Sequence, residues 1–137
     1  MAGLRRFETA TMYVGSLALV AHLYLEAARL AGLVATVGAL STHLFTFLCM
    51  GVIVPSMLVR ICQGHTGRKL LFTVGDRIAI GTLGAGAFFR LVATQVWPVY
   101  YTAWVAVAGV AWSACFTLLG IRLVPFLWRP RVDVKEH

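Results

Sequence analysis

Between His43 and Arg60 the chain reads LFTFLCMGVIVPSMLV, with no charged side chain. About 20 helical residues cross the ~30 Å hydrocarbon layer of a bilayer, so the run that starts at His43 forms a transmembrane helix. It leaves the membrane in the turn GHTGRK, where Gly64 and Gly67 frame His65, Arg68 and Lys69 and stop the helix. Composition agrees with an integral membrane protein. The 137 residues are 60% hydrophobic and only 12% charged, with mean hydropathy +0.84, outside the range of soluble domains.

The net charge of +7 sits in short basic segments beside the apolar runs, as in chains that meet anionic lipid headgroups, and no nucleic-acid partner is expected. Cys49, Cys62 and Cys115 lie in or at the edge of apolar runs without CxxC spacing, which indicates neither a disulfide framework nor a zinc site. There are no paired carboxylates, no Ser/His/Asp or Cys/His arrangement is apparent, and the basic turn lacks P-loop spacing. Hydrolytic chemistry is therefore disfavoured.

The same reading gives an all-α integral membrane protein of four transmembrane helices in an antiparallel bundle. It forms a single membrane domain over residues 1–137, with helices over 9–30, 40–61, 76–96 and 100–124, a turn over 62–75 and a short tail over 125–137. The apolar run after Arg5 and Arg6 continues into EAARLAG and is too long for a signal peptide's apolar core. Pro55 predicts a kink in the half of helix 2 nearer the basic turn. Gly75, Ala79, Gly81, Gly84, Ala85 and Gly86 make the first half of helix 3 a close-packing surface, suited to a larger membrane complex or a second copy of the chain.

Orientation follows from the basic residues. Arg5, Arg6, Arg60, Arg68, Lys69, Arg77, Arg122, Arg129, Arg131 and Lys135 fall on one side, and at most Arg29 and Arg90 on the other. Positive residues collect in the cytoplasm, so both termini and the basic turn are expected there.

Ionisable residues within the membrane cost ~2.5–3.5 kcal/mol on insertion scales and so mark function. At about 1.5 Å per residue, His22, Arg90 and His43 lie roughly 20, 21 and 25 Å from the cytoplasmic edge. On helix 1, His22, Glu26 and Arg29 share one face, at i, i+4 and i+7. One account is structural, with local pairing of Glu26 and Arg29, a snorkelling Arg90 and histidines bonded between helices. The other makes His22 and His43 the metal ligands of haem b, with Arg90 at a propionate and Glu26 or Arg29 at the polar rim. Cys49, Met50 and Met57 make copper(I) a second candidate guest, although ordinary packing accounts for both methionines. His65 lies far from this layer, and any role it has is local.

RICQGHTGRKL, the following helix with FFRLVA, and the ending LVPFLWRPRVD together resemble the C-terminal part of NnrS proteins. The likeness is strongest over 43–133, with the HTGR turn its most specific part. It implies a polytopic bacterial membrane protein that binds haem and copper and is associated with nitric oxide metabolism. His43, His65, Arg68 and Arg90 fall on family positions. Two functions remain open: a haem-binding subunit in respiratory or nitric oxide-related redox chemistry, or a structural accessory subunit of a larger membrane oxidoreductase with no cofactor of its own.

Overall fold

The computed structural model describes residues 2–35 and 38–132, with the side chains of 2–6 and 8 excepted. Those of Arg5 and Arg6, and all of Lys135, lie outside the described residues. Four helical rods follow one another, α1 (Ala2–Leu30), α2 (Leu40–His65), α3 (Val74–Val96) and α4 (Pro98–Leu127), and no strand occurs among the described residues. The last three are long and apolar enough to cross a membrane. α1, at 29 residues, has the length but is not among these three. It spends His22, Glu26 and Arg29 within its last turns, and this polar load offsets its apolar stretch.

Local chemistry explains where the rods start and stop. α1 and α2 both end in a left-handed glycine, Gly32 at φ 71° and Gly67 at φ 69°. Arg68 N–H donates to Gln63 O and Gly67 N–H to Gly64 O, the paired bonds that close a helix on such a glycine. α2 thereby runs to His65 rather than stopping at 61, and the basic connection is shorter than expected. α3 starts from a capping box in which Thr73 N–H and Oγ1–H donate to Asp76 Oδ2 and Asp76 N–H donates back to Thr73 Oγ1.

The irregularity expected at Pro55 lies elsewhere. Gly51–His65 is unbroken α-helix through Pro55, and the departure is a π-helical stretch, Leu44–Met50, on its N-terminal side. Proline cannot donate to the carbonyl of Gly51. The ladder widens just before that carbonyl, with Gly51 N–H donating to Thr46 O.

The rods alternate in direction, so the start of α1, the turn 66–73 and the end of α4 share one end, called here the basic end. Val52, Val59, Phe72, Ile80, Leu83, Cys115, Leu119 and Leu123 form the core between α2, α3 and α4. α3 lies closest to α4. A Cβ added at Gly86 would sit 2.8 Å from Ala111 Cβ and 3.4 Å from Ala108 O, whereas Gly81 and Gly84 have nothing within 4 Å of such an atom. Within the chain, close packing therefore uses Gly86, and the Gly81–Gly84 face looks outward.

This division predicts two different responses to a larger side chain. Gly86→Leu should lower thermal stability in detergent by about 1–3 kcal/mol or more, because neither Ala111 nor the α4 backbone can give way. Gly84→Leu should leave the stability of the isolated chain within about 0.5 kcal/mol, and any effect should be confined to the size of detergent-extracted assemblies. Equal losses from the two variants would show that both faces are packed inside one chain.

Candidate functional site

Far from the basic end, both α2 and α3 are wound into π-helix, over Leu44–Met50 and Phe89–Ala93. Such turns are uncommon and are frequent at functional sites, because the extra residue per turn re-aims side chains and leaves backbone bonds irregular. His43 immediately precedes the first stretch, and Arg90 lies within the second. The two side chains meet, with Arg90 Nη2 2.6 Å from His43 Nε2. A guanidinium only donates, so Nε2 accepts and the imidazole is the neutral Nδ1–H tautomer.

Aromatic rings wall this pair. Phe47 stands edge-on to His43 at 6.1 Å and to Trp112 at 5.2 Å, and the Arg90 guanidinium lies 5.4 Å from the Tyr101 ring centroid. Phe89 stacks on Trp104 at 5.5 Å with 9° between the planes. Arg90 Nη1 is buried and has no hydrogen-bond acceptor among the described residues. A buried unsatisfied donor on a charged group is costly, so this nitrogen is suited to an anionic oxygen.

His22 belongs to a different cluster. Its Nδ1 lies 2.8 Å from Ser41 Oγ and 3.0 Å from Ser41 O, and its ring lies 5.2 Å from Phe45. On the same helix as His22, Glu26 Oε2 accepts from Arg29 Nε at 2.8 Å. Ser41 and His43 are two residues apart on one helix, hence about 200° apart around it. The structure thus gathers His22, Glu26, Arg29 and Ser41 on the α1 side of α2, and His43 with Arg90 on the α3 side. It does not bring the two imidazoles to a common point. Cys49 is buried, whereas Met50 and Met57 are 41% and 39% exposed, so these sulfurs do not converge either. No group of three His, Cys, Asp or Glu residues suited to a metal ion occurs among the described residues. His65 lies at the basic end.

Sequence reasoning missed three participants: Ser41, Tyr101, and the Asp76–Arg122 ion pair that ties α3 to α4. For the pair a signal existed. Asp76 is the sole acid between Glu26 and Asp133, and Arg122 is the sole charged residue of the fourth apolar run.

Fold and site together define a multi-helical membrane protein with a histidine–arginine pair inside its bundle. The chain belongs to the NnrS family: the family model, described as NnrS protein, matches residues 2–131 and so covers α1 as well as the later helices. Comparison with curated proteins and with solved structures gives no match.

If the two histidine clusters are separate, their energies should add. Ser41→Ala should cost about 0.5–1.5 kcal/mol through the lost His22 bond, and His43→Phe about 1–3 kcal/mol by stranding Arg90 Nη2. The double variant, measured by thermal unfolding in detergent, should equal the sum within about 0.5 kcal/mol. A larger coupling would mean that the clusters act as one.

Proposed function

We propose that this chain is a multi-pass subunit of the bacterial inner membrane acting in the nitric oxide-related redox chemistry associated with its family, and that the His43–Arg90 pair is its working centre. The observation that carries this reading is the orphaned, buried Nη1 of Arg90 beside an imidazole held 2.6 Å from Nη2. His43 would supply a ligand nitrogen to a haem b and Arg90 would pair with one of its propionates. We leave His22 out of that ligand set because it bonds Ser41, which lies about 200° around α2 from His43. When bound, haem supplies a redox-active iron that can take nitric oxide as a ligand. The chain's own part is to free His43 Nε2 as Arg90 turns to the carboxylate, and to keep water away with Phe47, Trp112 and the Phe89–Trp104 stack. Ser41 and His22 hold α1 beside this centre, with Glu26 and Arg29 at its rim. Copper remains a weaker fit, since the sulfurs diverge.

A second reading rests on the same bond. His43–Arg90 already cross-links α2 and α3, and the outward Gly81–Gly84 face leaves α3 open to another helix. On that reading the chain is an accessory subunit of a larger membrane oxidoreductase, or pairs with a second copy through α3.

The visible spectrum of the purified protein, with and without its partners, separates the two. A haem b band should be lost in His43→Ala and kept in His22→Ala, and Arg90→Gln should lower the midpoint potential, because a buried positive charge favours the reduced haem. A dithionite-reduced spectrum with no haem b band leaves the accessory reading. Loss of the band in both histidine variants would restore two axial imidazoles.

Charge distribution gives the orientation. With Arg60, Arg68, Lys69, Arg77, Arg122, Arg129 and Arg131 near one end of the rods, that end faces the cytoplasm, all four rods cross the bilayer, and both termini lie inside. A cysteine placed at His65 should stay unlabelled by a membrane-impermeant maleimide in intact cells. Labelling there reverses the topology.

A further inference from the structure

The basic end holds a cleft that the proposed redox centre does not use. α2 closes on the Gly67 turn, and the chain after α4 returns to that turn, where Val132 N–H donates to Thr66 O at 3.2 Å. Thr66 is itself fixed, its hydroxyl donating to Cys62 O at 2.6 Å. Arg131 is thereby brought against the last turns of α2. Arg60, Ile61, Gly64, His65 and Arg131 line a cleft of about 390 Å³, within the size range of small-molecule sites.

Its walls are amphiphilic. Two guanidinium-bearing residues and an imidazole contribute to one lining, while Ile61, 47% exposed, contributes apolar surface. Gly64 leaves the cleft open, since a Cβ there would meet nothing within 4 Å. Arg60 lies five residues before the end of the span Leu40–His65, hence about 7.5 Å below it. An arginine so near a helix end extends its head toward the interface, where anionic headgroups are met. Planar guanidinium groups bind phosphate oxygens in pairs, and an acyl chain leaving the phosphate would run down the exposed Ile61 side of the helix.

We propose that this cleft binds the phosphate of an anionic phospholipid, with Arg60 and Arg131 on the phosphate oxygens, His65 at the rim and Ile61 against the chain. The same phosphate chemistry could come from a soluble phosphate, and the test separates the sources. It needs neither haem nor the His43–Arg90 pair, so its failure and that of the redox reading are distinguishable.

Binding of a fluorescent phosphatidylglycerol to the full chain in non-ionic detergent should exceed binding of the matching phosphatidylcholine. Arg60→Gln and Arg131→Gln should each weaken phosphatidylglycerol binding by about fivefold or more, as expected for one cationic contact near the surface. Gly64→Leu, which fills the cleft while keeping every charge, should weaken it comparably. Arg129→Gln, which removes an equal charge from an exposed position outside the cleft lining, should change it less than about twofold. Thermal unfolding of each variant checks that the fold persists, and Gly64→Leu replaces a poor helix former in open space. Equal loss from Arg129→Gln, or no loss from Gly64→Leu, would reduce the effect to diffuse surface charge and overturn the site. Displacement of the lipid by millimolar inorganic phosphate would overturn the lipid assignment in favour of a soluble anion.

Discussion

Asp76 is fully buried and paired with Arg122, and the arrangement of α3 on α4 depends on that contact. Neither charge is tolerable alone in a low-dielectric interior: removing one partner of such a pair costs roughly 3–5 kcal/mol, far more than the intact pair contributes. The carboxylate is further occupied by the Thr73 cap, so one side chain both starts α3 and fixes its rotation against α4. Rotation fixed at position 76 propagates along a stiff rod. It carries Ala79, Leu83 and Gly86 into the interface and leaves Gly81 and Gly84 outside. It also aims Arg90, about 21 Å further on, toward α2 and Tyr101.

The turn 66–73 adds a second anchor at the same end. Gln63 grips Leu71 twice, its Nε2–H donating to Leu71 O at 3.0 Å and its Oε1 accepting from Leu71 N–H at 2.7 Å. Arg68 lies over the Phe126 ring at 4.5 Å, and Arg77 lies over Phe7, which meets Phe72 at 6.0 Å. Cations otherwise costly near the hydrocarbon edge are held on aromatic faces. The basic end is therefore stitched by side chains from all four rods, whereas the other end is held by the Ser41 and Arg90 contacts with the Phe47–Trp112 and Phe89–Trp104 rings.

Much of this was legible in the residues, and the failures have a common cause. Apolar runs and the glycine-framed basic turn are local signals, and they located the rods from their own sequence, whereas the Thr73 cap starts α3 at 74 rather than the expected 76. Position along a rod is the forgiving coordinate, because an error of one residue moves a side chain only about 1.5 Å along the axis. The same error rotates it by about 100°. His22 and His43 could share a layer by arithmetic and still be turned apart, since it is Ser41, two residues earlier, that faces α1. The π-helical stretches compound this, because each adds rotation that no propensity records. One directly precedes Gly51, whose carbonyl lacks a donor at Pro55, and the other contains Arg90.

That rotation also decides which side chains meet at the far end, where Arg90 Nη2 reaches His43 Nε2. In regular α-helix, position 43 and the residues one turn on keep a fixed phase, and backbone bonds leave little freedom to adjust. A π-helical stretch relaxes this phase directly after His43 and again around Arg90, so small changes in winding could separate the guanidinium from the imidazole without moving the rods. The stiff, stitched basic end resists such movement. On the proposed function, the bond between Nη2 and Nε2 is exchanged for bonds to a guest while the Asp76–Arg122 contact keeps α3 in place. A bundle built this way would, on that same reading, couple ligand entry to local rewinding rather than to unfolding.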